Sequence, residues 1–205
     1  MRLVVTDLAV DRGAGTIFEG VGFSLADGEG LVVTGPNGAG KSTLIRAIAG
    51  LLRASAGTAA IEDDDGTWPT VAAASHYLGP VNAMKPTLSV AENLAFWQAF
   101  AGRPERDVDE ALATVGLEHT SDLPFSYLST GQRRRISIAR LLLNWRPVWL
   151  LDEPTSGLDS SSEIHFAGLV SDHMKAGGIV VAATHLPIAV EGMKRLKFGP
   201  SRAAA

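Results

Sequence analysis

Residues 30–43 read Gly30-Leu31-Val32-Val33-Thr34 and then Gly35-Pro36-Asn37-Gly38-Ala39-Gly40-Lys41-Ser42-Thr43, and their character changes at Gly35. Gly30 to Thr34 is a short apolar run suited to a strand. Gly35 to Thr43 fits the pattern G-x-x-x-x-G-K-[ST] in full, and from Ser42 to Leu52 the pattern turns helical. Strand, glycine loop and helix in that order are the setting a phosphate-binding loop requires. Glycines let the backbone curl so that successive N–H groups face phosphate oxygens, and the helix N-terminus adds its dipole. Lys41 then reaches the β- and γ-phosphates of a nucleotide, and the Ser42 hydroxyl is placed to ligate Mg²⁺. An ordinary glycine turn would account for the loop but not for its flanks.

Downstream, Val148-Trp149-Leu150-Leu151-Asp152-Glu153 is an apolar run ending in two carboxylates. Alone, such a pair is as often a plain turn. After a phosphate loop it reads as the matching acidic motif, with Asp152 in the Mg²⁺ shell beside Ser42. Glu153 is then the general base that polarises the attacking water. His185 follows a second apolar run, Ile179 to Thr184. A lone histidine is more often a surface or satisfied residue, but the end of a buried strand also suits a γ-phosphate contact.

Between these motifs the chain alternates strand and helix signals. Short strands are expected at residues 3–5 and 21–25 and around Tyr77-Leu78. Residues 54–70, with the acidic run Glu62-Asp63-Asp64-Asp65, read as a solvated turn in a β-rich lobe rather than a metal site. Helical signals cover 89–100, opened by a capping box of Ser89 and Glu92, and then 107–116 and 130–143. A second capping box, Ser160 with Glu163, opens a helix to about Lys175 that Gly177-Gly178 terminate. The tail from Met193 has no clear period, and its SRAAA end is expected to fray. This is an α/β pattern with a helical insert.

Composition narrows the function classes. Apolar residues make up 46% of 205, enough for a core. No apolar stretch reaches the roughly 18 to 20 residues a membrane span needs. The N-terminal run meets Asp7 too early for a signal peptide, so the chain is expected in the cytoplasm. Net charge of −4 argues against a general nucleic-acid binder. Absence of cysteine excludes disulfides and thiolate metal sites.

One further segment, Leu128-Ser129-Thr130-Gly131-Gln132, lies between the phosphate loop and the acidic motif. It resembles the LSGGQ signature of ATP-binding-cassette (ABC) ATPases, with Thr130 in place of the first glycine. The phosphate loop, this signature, Leu150-Leu151-Asp152-Glu153-Pro154-Thr155-Ser156-Gly157-Leu158-Asp159 and Ala183-Thr184-His185 fall in that family's order, over roughly residues 2 to 190. The resemblance implies a P-loop NTPase of ABC type, with a RecA-like core, an antiparallel β lobe and a helical subdomain. It implies one ATP-binding domain over 1–205, with core and β lobe about 1–85 and 144–192. The helical subdomain would be about 86–143 and the tail 193–205. It further implies a homodimer in which Ser129, Thr130, Gly131 and Gln132 face ATP held by the second copy, while Asp159 links the two sites. Lys41, Glu153 and His185 would serve catalysis, with Mg²⁺ as cofactor. The family usually places an aromatic residue on adenine where this chain has Val10-Asp11-Arg12-Gly13. Arg12 can stack on the base, or it is simply an exposed turn arginine. The family's glutamine after Tyr77-Leu78 aligns with Pro80, which has no side-chain acceptor.

A narrower resemblance rests on other residues. His76-Tyr77-Leu78-Gly79, Asn82-Ala83-Met84-Lys85-Pro86 and Leu88 to Trp97 are similar to the haem-exporter ATPases of cytochrome c biogenesis. Pro147 to Glu153 and Ala182 to Pro187 point the same way. That resemblance implies a peripheral subunit on the cytoplasmic face of the bacterial inner membrane, working with integral membrane subunits of cytochrome c maturation. Hydrolysis would drive haem export or release of a haem-loaded chaperone. The alternatives are an ABC subunit for another small solute or lipid, or a soluble ABC ATPase acting on ribosomes or DNA. Leu94, Phe96, Trp97 and Phe100 would face a membrane subunit or pack a helical core. Arg133-Arg134-Arg135 reads as mostly a solvated helix face, with the alternative that one of them approaches ATP phosphates or a partner loop.

Overall fold

Strands β6 (Val148–Asp152) and β7 (Ile179–Ala183) are buried at every position. This is why both read as unbroken apolar runs rather than as alternation. The computed structural model describes residues 1–13, 15–185 and 190–199. The SRAAA end and Leu186-Pro187 lie outside the described residues. The other strands are β1 (Arg2–Arg12), β2 (Gly15–Ala26), β3 (Gly30–Thr34), β4 (Ala56–Glu62), β5 (Ser75–Leu78) and β8 (Lys194–Lys197). The helices are α1 (Lys41–Ile48), α2 (Val71–Ala74), α3 (Val90–Ala101), α4 (Val108–Thr114), α5 (Thr130–Leu142) and α6 (Ser160–Lys175).

Two units result: Met1–Tyr77 with Arg146–Pro154 and Ala167–Ala205, and Leu78–Trp145 with Thr155–Phe166. The first unit carries two sheets, an antiparallel β2-β1-β4 and a five-stranded β5-β6-β7-β3-β8. In the larger sheet β3 pairs parallel with both β7 and β8, and β6 pairs parallel with β7. Parallel pairing brings the carboxyl ends of β3, β6 and β7 to one edge, the usual ligand-binding edge of such sheets. One apolar core holds this together. It joins Leu3, Val5 and Leu25 of the antiparallel sheet, Leu44 and Ile48 of α1, and Leu150 and Val181 of the parallel sheet.

Several expectations need correction. The first two strands are long, because β1 and β2 form a hairpin paired from Arg2↔Ala26 to Arg12↔Gly15 with irregularities between. Those irregularities break the alternation that marks a strand in sequence. Residues 54–70 are not only a turn, since β4 occupies 56–62 and pairs with β1. Glu62 and Asp63 are drawn to Arg2, at 3.2 and 2.6 Å. Helix α1 stops at Ile48, where Gly50 takes φ +71 and donates to the Ala47 carbonyl. The tail contributes strand β8 to the edge beside β3.

The second unit gathers α3, α4 and α5. Ser89 and Glu92 form the expected capping box at α3. The box expected from Ser160 and Glu163 is not used. Asp159 caps α6 instead, accepting from the Ser162 N–H at 2.8 Å and the Ser161 hydroxyl at 2.9 Å. Leu94 is fully buried whereas Phe96 and Phe100 are exposed, so the apolar run of α3 is divided between core and surface. Asn93, buried, holds Lys85 through the Lys85 N–H at 2.7 Å and carbonyl at 3.0 Å. Arg134 corrects the expectation of a solvated arginine face, for it is buried.

In the first unit His173 stacks on Trp149 with ring centroids 4.1 Å apart. Burial pushes its imidazole down to about 4; a backbone hydrogen bond at Pro147 opposes this and His76 adds to it. The depressed value means that the unfolded chain takes up a proton below the ordinary value of 6.5 while the folded chain does not. Stability is therefore lost as pH falls from about 6.5 to about 4, by at most about 3 kcal/mol. His173→Gln should flatten that part of a plot of urea midpoint against pH. An unchanged slope would show that another group is responsible.

Candidate functional site

The phosphate loop is shaped by contacts on both of its glycine ends. A Cβ on Gly35 would collide with the Phe198 carbonyl oxygen, and one on Gly40 would lie 2.7 Å from Ile17 and 3.2 Å from the Phe198 ring. Phe198, just beyond β8, donates its N–H to Thr34 at 2.6 Å and meets Phe18 edge-on at 5.3 Å. Sequence reasoning missed this brace. The alternation Leu196-Lys197-Phe198 was the available signal. Gly40 at φ +98 starts α1 with no side-chain cap, so the first N–H groups of the helix stay turned toward the loop. Pro36, Asn37 and Gly38 are exposed, while Ala39 is buried.

Lys41 is buried, and its ammonium donates to the carbonyls of Gly35 at 2.8 Å and Pro36 at 3.0 Å. The cation is thus held against the loop that its sequence pattern assigns to phosphate. Beside it the Ser42 hydroxyl donates to Asp152 Oδ1 at 2.7 Å, and Asp152 is buried. Among the described residues no group of three or more histidines, cysteines or carboxylates gathers to hold a metal. A hydroxyl and one carboxylate, leaving most positions to phosphate and water oxygens, is the donor set that suits Mg²⁺.

Glu153 adopts φ +47, a conformation uncommon for a non-glycine residue, and donates its N–H to the Ala183 carbonyl at 2.8 Å. This turns its side chain to His185. Glu153 Oε2 lies 2.8 Å from His185 Nδ1 and accepts the His185 backbone N–H at 3.4 Å. The sequence placed both residues at strand ends. It carried no sign that they touch, because that depends on β6 and β7 being neighbours.

Thr43 follows Ser42 in the first turn of α1. Arg12 ends β1, exposed, opposite Gly15 in the hairpin. The signature belongs to the second unit. Ser129 caps α5: its hydroxyl accepts the Gln132 N–H at 3.3 Å, and the Gln132 side chain accepts the Ser129 N–H at 2.9 Å. Thr130 and Gly131 open that helix, and a Cβ on Gly131 would lie 3.1 Å from the Gly157 carbonyl. The Asp159 carboxyl is held below its ordinary range, chiefly by the Ser162 N–H.

The model of the ABC transporter family matches residues 18–156, which hold the phosphate loop, the signature and the Asp152-Glu153 pair. The chain belongs to the ABC transporter family. Among ABC proteins it is similar to the cytochrome c biogenesis ATP-binding export protein CcmA of Mesorhizobium japonicum, 57% identical over 97% of this chain and 98% of that one. The protein of the same name from Bartonella quintana is 49% identical, covering 98% of both chains. In fold it matches a putative ABC transporter ATP-binding protein from Pyrococcus furiosus, with a TM-score of 0.82 at 21% identity over 97% and 98% of the two chains. It also matches a dimeric ATP-binding cassette in a post-hydrolysis state bound to ADP and Pi, with a TM-score of 0.81 at 23% identity over 98% and 97%. The fold is therefore that of an ABC-type P-loop NTPase. No helix among the described residues is long and apolar enough to cross a membrane.

Proposed function

We propose that this chain is the ATP-hydrolysing subunit of an ABC export complex of cytochrome c biogenesis, acting in haem export or release of a haem-loaded chaperone. The observation that carries the ATPase reading is the grouping of Lys41, the Ser42–Asp152 pair and the Glu153–His185 pair along one strand edge. Lys41 exchanges its loop carbonyls for the β- and γ-phosphate oxygens, and the N–H groups of Gly35 to Thr43 cradle them. Ser42 and Asp152 would hold Mg²⁺, which would supply neutralising charge to the phosphates. Glu153 takes the proton of the attacking water, and His185 orients Glu153 and meets the γ-phosphate. Arg12 stacks on the adenine.

Ser129 to Gln132 complete the ATP site of a second copy, with Asp159 between the sites. The cytochrome c assignment is supported by near-full-length similarity to relatives carrying that name. Under it, the chain works at the cytoplasmic face of the inner membrane with integral membrane subunits. Disrupting the gene and staining periplasmic c-type cytochromes for haem tests this reading. Haem staining should be lost and should return with the parent gene but not with Glu153→Gln. Normal staining in the disrupted strain would refute the cytochrome c assignment and leave the ATPase reading standing.

A further inference from the structure

Pro80, where the family's glutamine aligns, is exposed and has neither a backbone N–H nor a polar side chain. The turn that leaves β5 therefore cannot be positioned by that residue. It is instead fastened to the helices of its own unit. The buried Arg134 guanidinium donates to the carbonyl of Gly79, immediately before Pro80, at 2.7 Å. One helical turn further along α5, the buried Ser137 hydroxyl donates to Asn82 Oδ1 at 3.0 Å. From α3, the Trp97 indole N–H donates to the Ala83 carbonyl at 2.9 Å, where the backbone takes φ +54. Helix α5 also closes on α3, with the Arg140 guanidinium 4.6 Å from the centre of the Trp97 ring.

Helix α5 is the helix that Ser129 caps, so the signature and the turn share one support. Arg134 lies little more than one turn from Ser129 and carries the one charge-assisted bond described to Gly79. Such bonds are about twice as strong as neutral ones, and a short one to a buried carbonyl fixes orientation as well as distance. We propose that Arg134 is a positioning residue for the signature, fastening the Gly79–Pro80 turn to α5 so that turn and signature move as one piece during the ATP cycle. This rests on the reading that Ser129 and Gly131 complete the ATP site of a second copy. Coupling that a side chain at position 80 cannot make then passes through the backbone carbonyl of Gly79.

The test uses the full chain in a Glu153→Gln background, adding Arg134→Met or Arg134→Lys. Arg134→Met should raise the ATP concentration for half-maximal dimerisation about tenfold, as expected for loss of one charge-assisted hydrogen bond. Hydrogen exchange should rise together at 79–85 and 129–133. Affinity for a fluorescent ATP analogue at the chain's own site should stay within about twofold, which a general loss of structure would not allow. Arg134→Lys, keeping a donor for Gly79, should recover most of the dimerisation. If Arg134→Met does not fold, Ser137→Ala should give the same pattern at smaller amplitude. An unchanged dimerisation midpoint, or own-site affinity falling in step with it, overturns the proposal. A Glu153→Gln parent that stays monomeric with MgATP refutes the two-chain reading itself, and the positioning role with it.

Discussion

Glu153→Gln should reduce steady-state ATP hydrolysis by about 10²- to 10⁴-fold, the range for loss of a positioned general base. Nucleotide affinity should hardly change, because the groups proposed to grip phosphate are elsewhere: Lys41 on its loop, and Ser42 bonded to Asp152 at 2.7 Å. Glutamine keeps the length and an oxygen for His185, so the pairing at 2.8 Å can persist while the carboxylate proposed to take the proton is lost. Phosphate release and fluorescent-nucleotide titration on the same preparation separate the two quantities. Hydrolysis within about twofold of the parent would remove Glu153 from the chemistry. A matched loss of affinity would recast it as a binding residue.

Gly35→Ala should cost about 3 kcal/mol in stability and weaken ATP binding at least about 100-fold, as an overpacked core position does. A methyl group at Gly35 would collide with the Phe198 carbonyl, and the backbone there takes φ +155. The opposing atom is backbone, and Phe198 is itself tied to Thr34 by its N–H at 2.6 Å. Neither a rotamer change nor a small side-chain shift can relieve the contact. The strand β8 would have to leave the sheet or the loop would have to lose its phosphate-binding curl. Urea denaturation and nucleotide titration measure the two effects. Parent-like binding in Gly35→Ala would show that the loop does not depend on this brace.

The elements with dense local signals were legible in the sequence. Strand β6 and strand β7 read as apolar runs because both faces are covered, and α3 announced its start through Ser89 and Glu92. The phosphate loop and its lysine were legible because backbone curvature demands glycine at fixed spacing. What was hidden depends on strand order. Glu153 meets His185 only because β7 lies beside β6, and Phe198 reaches Gly35 only because β8 pairs with β3. Competition between neighbouring caps misdirected the start of α6, where Asp159 supplies the cap in place of Ser160. Arg134 in a run of three arginines looked solvated, and its bond to the Gly79 carbonyl, 55 residues away in sequence, left no local signal of its burial.

We propose that this chain hydrolyses ATP as half of a two-copy sandwich. Light scattering of Glu153→Gln, without nucleotide and with saturating MgATP, tests it most directly when bound nucleotide is counted in the same sample. The mass should double on adding MgATP, with one nucleotide per chain retained. A monomeric mass with nucleotide bound would contradict the claim.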